Sequence, residues 1–195
     1  MTTIEPKHEY NAVQTVKRRF FAMRNGIIGD VLRKSGSGFK IIFGLNLPQI
    51  AEIADESPHT AEFATTLWHN TTTRESMLIA PMLYPRDEFD EATARIWISE
   101  VPEVEVADIL CHRLLRFQPY ALALAKEYIE KGNSSELERY TALRLAFNIV
   151  NKYPDEALAL ASHPDNGKFR HTAGIARSLA DEARFISGNG DPADY

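Results

Sequence analysis

The sequence predicts an all-α protein whose helix pairs stack into an α-α superhelix, and three observations predict it. Helical periodicity runs through most of the chain, while strand-like alternation bounded by turn residues is scarce. Pro48, Pro58, Pro102, Pro119 and Gly132 punctuate the periodic stretches where helices start or stop. Helix pairs open near residues 58, 87, 119 and 155, at spacings of 29, 32 and 36 residues. At such an interval each pair buries its apolar face only by leaning on its neighbours. An irregular helical bundle is the architectural alternative.

Residues 5–25 read as one helix, with Val13, Val16, Phe20 and Phe21 on one face and Lys17, Arg18 and Arg24 elsewhere. Gly26 and Gly29 bracket a short break, and 34–38 (Lys-Ser-Gly-Ser-Gly) is a loop. No strand precedes those glycines and no Lys-Ser or Lys-Thr pair follows them, which argues against a nucleotide-binding loop. The apolar stretch 39–47 holds Gly44 and leads into Pro48, and reads as a loop or helix turn rather than a strand. Helices are then expected at 58–70 and 72–83, where Thr72 and Glu75 have capping-box spacing. Further helices follow at 87–99, at 102–116 with Pro102 in the first turn, and at 119–131. The last three are 134–152, 155–161 and 168–185. All of 1–195 reads as one domain: basic N-terminal helices over 1–40, stacked pairs over 41–186 and a frayed tail over 187–195.

Hydrophobic residues at 44% and charged residues at 25% are ordinary globular usage. No apolar run approaches the roughly 18 residues that span a bilayer. The N-terminus is polar, and the single Cys111 cannot form an internal disulfide. The expectation is a soluble, cytoplasmic chain. The net charge of −5 is unevenly spread: residues 1–40 carry +5 and the remainder −10. A basic end on an acidic body can dock on phosphates, or can simply be a solvated helix face.

No metal or cofactor is expected. His59 and His69 are ten apart and His163 and His171 eight apart, and H-E-x-x-H, C-x-x-C and G-x-S-x-G motifs are all missing. Trp68 and Trp97 read as packing residues, and Glu75 as a helix cap. Asp108 sits in the apolar run Val106-Ala-Asp-Ile-Leu-Cys, so it needs a partner. Arg139 is one partner to consider, although that arginine could equally pair with Glu136 or Glu138. His112 lies one turn after Asp108, and Arg113 and Arg116 follow it.

Four segments resemble the DNA alkylation repair family of HEAT-like repeat alkylpurine glycosylases. They are Phe43-Gly-Leu-Asn-Leu-Pro48, Leu67-Trp-His-Asn70 with Glu75-Ser-Met-Leu-Ile-Ala80, Val106-Ala-Asp-Ile-Leu110, and Leu137-Glu-Arg-Tyr-Thr-Ala-Leu143. The resemblance implies HEAT/armadillo-like repeats that hold duplex DNA by its backbone, and excision of N3- or N7-alkylpurines. It implies catalytic roles for Asp108, as the carboxylate that stabilises positive charge on the deoxyribose, and for Arg139, as the supporting guanidinium. Lys17, Arg18, Arg19, His112, Arg113, Arg116 and Arg177 are the expected DNA contacts.

The chain departs from the family pattern before Asp108. Val104 stands where a tryptophan is expected, with Glu103 and Glu105 beside it, and no tryptophan falls near 174–177. The alternative is therefore a non-catalytic HEAT-like scaffold with a protein partner.

Overall fold

The computed structural model describes residues 11–188, and among them every regular element is helical. The chain divides into two compact units, Met1–Pro85 and Arg86–Tyr195.

The first unit holds α1 (Ala12–Ala22), α2 (Gly26–Lys34), α3 (Leu47–Asp55), α4 (Ala61–Trp68) and α5 (Arg74–Leu83). Helix α5 is its centre. It packs on α4 and α3, and α1 closes over α3 and α4. Residues 73–81 are all buried, so α5 is enclosed on every side. Phe20, Ile50, Ile53, Leu67 and Trp68 fill the space around it, each contributing roughly 1.5–3 kcal/mol by its burial.

Helix α1 begins at Asn11, whose side chain accepts from the Gln14 amide. The part of the expected helix over 5–10 lies outside the described residues, as does most of the expected tail. The expected break at Gly26 and Gly29 is instead inside α2. Asn25 caps that helix by accepting from the Ile27 and Ile28 amides. Gly29 lets it run close to the Ile42 carbonyl, 3.3 Å from where a Cβ would sit.

The stretch before Pro48 is a loop, as expected, tied by a single parallel bridge between Ile41 and Thr73. Gly44 has φ of +77°, and a Cβ there would collide with the Asn25 carbonyl oxygen.

The expected capping box of Thr72 and Glu75 does not form. Helix α5 starts at Arg74, and Thr73 precedes it without a side-chain cap. The Glu75 carboxylate is fully buried and serves the loop instead. It accepts from the amides of Phe43 at 3.1 Å, Gly44 at 3.0 Å and Leu45 at 3.4 Å, and from Arg74 Nη1 at 2.8 Å. A capping box does form one element earlier, between Asn46 and Gln49.

The second unit holds α6 (Glu91–Glu100), α7 (Val104–Arg113), a 3₁₀ turn at Leu115–Phe117, α8 (Ala121–Glu130) and α9 (Glu136–Asn148). It closes with α10 (Pro154–Ala161), a second 3₁₀ turn at Pro164–Lys168, and α11 (Arg170–Ile186). Their arrangement is that of helix pairs. Helix α9 lies between α7 and α11, and pairs with α8; α10 pairs with α11 and touches α8. Arg95 of α6 reaches across to both carboxylate oxygens of Glu127 on α8, at 3.2 and 2.9 Å.

First helices recur at 30 and 33 residues, close to the spacing read from the sequence. Individual starts shift. Asp90 rather than Asp87 caps α6. Ser135, in a capping box with Glu138, opens α9. Pro102 precedes α7 instead of entering its first turn, because Glu103 is the cap position.

Candidate nucleic-acid interface

The site is built where α7 packs on α9. The apolar side of α7 (Val106, Leu110, Cys111) is buried, which turns Asp108 and, one turn later, His112 toward the rim. On α9 the Ser135 cap sets where the helix starts. Tyr140 and Arg144, four residues apart, then face Asp108 together.

The Tyr140 hydroxyl donates to Asp108 Oδ1 at 2.9 Å. Arg144 Nε lies 3.1 Å from the same oxygen, an ion pair whose N–H is not aligned for a hydrogen bond. No hydrogen bond from the described residues reaches Oδ2. The Asp108 and Arg144 side chains are 31% and 30% exposed, so the pair sits at the surface of the packed interface.

The electrostatics are divided. Burial pushes the Asp108 carboxyl above its ordinary value, and Glu105 adds to the rise. The Arg144 charge and the Tyr140 hydrogen bond pull the other way. Burial, with Asp108 next, also raises the Tyr140 phenol. His112 is held below its ordinary value by burial, then by Arg116, Arg113 and Arg144. Those three guanidiniums therefore lie within electrostatic reach of one imidazole.

Buried N–H groups at Arg113 Nε, Arg116 Nε and Asn148 Nδ2 have no acceptor. The Arg116 guanidinium also covers the exposed Phe117 ring at 4.6 Å, and Arg86 lies over that ring at 3.5 Å. A cluster of several cations beside one carboxylate suits an anionic ligand.

Arg139 is not part of this cluster. It points to the other side of α9, is 2% exposed, and donates to Asn166 Oδ1 at 3.3 Å. Asp165, at 3.8 Å, is its ion-pair partner. The expected pairings of Arg139 with Asp108, Glu136 or Glu138 are thus replaced. Glu138 caps α9 and Glu136 meets His171.

Among the remaining expected DNA contacts, Arg113 and Arg116 gather with His112. Arg177 is exposed on α11, beside a shallow cleft of about 320 Å³. Lys17 and Arg18 are exposed on α1 of the first unit. Arg19 is engaged by Glu52 at 3.2 Å and Glu56 at 2.9 Å. Trp68 and Trp97 are core residues, 0% and 1% exposed.

The model of the family described as DNA alkylation repair enzyme matches residues 16–187. The chain belongs to this family. No curated protein and no solved structure gives a significant match. Membership supports a role in DNA repair and agrees with the all-helical fold.

Among the described residues no helix is long and apolar enough to cross a membrane. No group of three or more His, Cys, Asp and Glu side chains among them is placed to hold a metal ion. Sequence reasoning missed Tyr140 and Arg144. A signal for them existed, since they lie 32 and 36 residues after Asp108, about one helix pair later, and share a helix face.

Proposed function

We propose that this chain is a HEAT-like repeat protein that binds duplex DNA by its sugar–phosphate backbone. On this reading the α7–α9 face meets the deoxyribose of an alkylated purine and the protein releases N3- or N7-alkylpurines. The observation that carries the proposal is the Asp108 site: a one-third-exposed carboxylate, anchored through one oxygen, paired with Arg144 and one turn from His112, about which Arg113 and Arg116 gather.

An alkylated purine is cationic and leaves as a neutral base. When the N-glycosidic bond breaks, positive charge passes to the sugar, and a fixed carboxylate facing it lowers the barrier. Water adds to the anomeric carbon, its oxygen forms the new bond, and its proton goes to Asp108 and then to solvent. Arg144 takes the supporting role that the family resemblance implies for Arg139. It holds Asp108 and offers its remaining N–H groups to phosphate. His112, Arg113, Arg116 and Arg177 contact the backbone.

A second reading, a DNA-binding or scaffold protein without catalysis, is favoured by one observation. Both tryptophans are buried, so the aromatic that touches Asp108 is Tyr140 alone.

Single-turnover release of N7-methylguanine and N3-methyladenine from alkylated duplex DNA separates the readings. Release by the wild type that Asp108→Asn lowers by a factor of about 10² or more is expected. No release from folded protein that still binds DNA leaves the second reading. Binding with no salt dependence removes the phosphate-docking idea altogether.

A further inference from the structure

Tyr140 has no part in the reading given so far, yet it makes the shortest contact to the carboxylate at the centre of the site. Its hydroxyl and Arg144 Nε both converge on Asp108 Oδ1, at 2.9 and 3.1 Å, while Oδ2 receives no donor from the described residues. Two groups on one oxygen hold the carboxylate in place and leave the second oxygen without a donor from the described residues.

The phenol itself is 8% exposed, so its ring is locked by packing and the hydroxyl has little freedom to choose another acceptor. The two groups are different in kind. Arg144 is a third exposed and its N–H is misaligned, whereas Tyr140 supplies a short bond from a rigid, buried ring. Direction therefore comes from the tyrosine and charge from the arginine.

We propose that Tyr140 is a positioning residue for Asp108: it clamps Oδ1 so that Oδ2 is the oxygen presented to the substrate. The proposal rests on the excision reading for its role in the reaction, but the clamp itself can be tested without any reaction. The other groups acting with Asp108 are Glu105 and Cys111 on its own helix and Arg144 on α9; His112 follows one turn later, with Arg113 and Arg116 in reach of its imidazole. All of them stay in place when the phenol oxygen is removed.

The test is Tyr140→Phe in the full chain. It keeps the buried ring and deletes the hydroxyl. With ¹³C-labelled aspartate, the carboxyl carbon of Asp108, assigned by its loss in Asp108→Asn, is titrated in wild type and variant. Loss of a hydrogen bond to the ionised form moves the Asp108 titration to higher pH. In single-turnover excision the rate falls about tenfold, the size of one charge-assisted hydrogen bond, and the acid limb of the pH profile moves up. Affinity for the DNA stays unchanged, since every cation of the cluster is retained.

Arg144→Gln is the comparison. It also raises the titration but weakens DNA binding. A merely structural tyrosine would lower the melting temperature and leave the Asp108 titration in place, and that result overturns the proposal. If the titration moves but the wild type releases no alkylpurine, the clamp stands and the excision reading falls.

Discussion

Glu75 is the strongest lever on the first unit. Its carboxylate has no solvent exposure and accepts from three consecutive backbone amides and from Arg74, whose side chain is 5% exposed. Glu75→Gln keeps the shape, removes the charge and replaces one acceptor oxygen with an NH₂ group. That group meets the Phe43 amide donor to donor, or gives up Oε1 and meets Gly44 and Leu45 instead. Arg74 loses its charged partner at 2.8 Å while it still donates to the Leu45 carbonyl at 3.1 Å. Breaking one partner out of a buried pair costs about 3–5 kcal/mol.

Stability of a domain this size is roughly 5–15 kcal/mol, so the loss should be large enough to read in urea. The assay is urea unfolding of the full chain, followed by tryptophan fluorescence, with hydrogen exchange at the Gly44 and Leu45 amides as the local probe. Thr72→Ala is the control. If Thr72 and Glu75 formed a capping box, the alanine would cost about 1 kcal/mol. In the structure Thr72 is exposed and its hydroxyl reaches only the Asn70 side chain, at 3.2 Å, so a change within about 0.5 kcal/mol is expected. A Gln variant as stable as wild type, with both amides still protected, would refute the loop-anchoring account.

Three further predictions concern α9 and its partners on either side. Arg139→Met should destabilise the fold by about 1–3 kcal/mol, since it leaves the buried Asn166 carbonyl without its donor, while DNA affinity is unchanged. Arg144→Met should do the reverse, costing less than about 1 kcal/mol of stability and reducing the salt slope of DNA binding by about 1. Asp108→Asn should be neutral or stabilising at pH 7. The folded carboxyl lies above its ordinary 3.8, so the stability it contributes is present below that value and lost as pH rises through the folded one. Thermal melts of the two proteins should therefore diverge toward neutral pH and converge in acid; a wild type that gains on the variant as pH rises contradicts the sign.

The fold was legible because it rests on periodicity. Apolar faces located α7, α8, α9 and α11 to within a few residues, and the pair spacing followed. Local templates were less safe. Thr72 and Glu75 match the capping-box pattern only if Thr72 is the cap, and the bridge between Ile41 and Thr73 delays the helix until Arg74. The pattern then lands on a carboxylate already committed to the 43–45 loop. Gly26 and Gly29 look like breakers, but one opens α2 and the other gives it room against Ile42. In the site, Asp108 was found and its partner was not. Arg139 and Arg144 are both on α9, five residues apart, which turns them about 140° from each other around the axis. Which of them meets α7 depends on how far α9 is rolled, and that is set by packing on α8 and α11 at once. Tyr140 and Arg144 differ by only about 40°, so once one faces Asp108 the other must.

The way Asp108 is held argues for a role beyond packing. A structural carboxylate in a helical interface is normally satisfied at both oxygens, as Glu75 is, or lies fully in solvent. Asp108 does neither. Burial works against its charge, its one aligned hydrogen bond goes to Oδ1, and Oδ2 takes no donor from the described residues. Such an arrangement gains nothing for the fold from the free oxygen. On the reading proposed above, it would serve as a preorganised negative charge facing the positive charge that builds on a DNA sugar. The acidic balance of the whole chain is no obstacle to this, because affinity for phosphate depends on where the cations are gathered and not on their excess over the molecule.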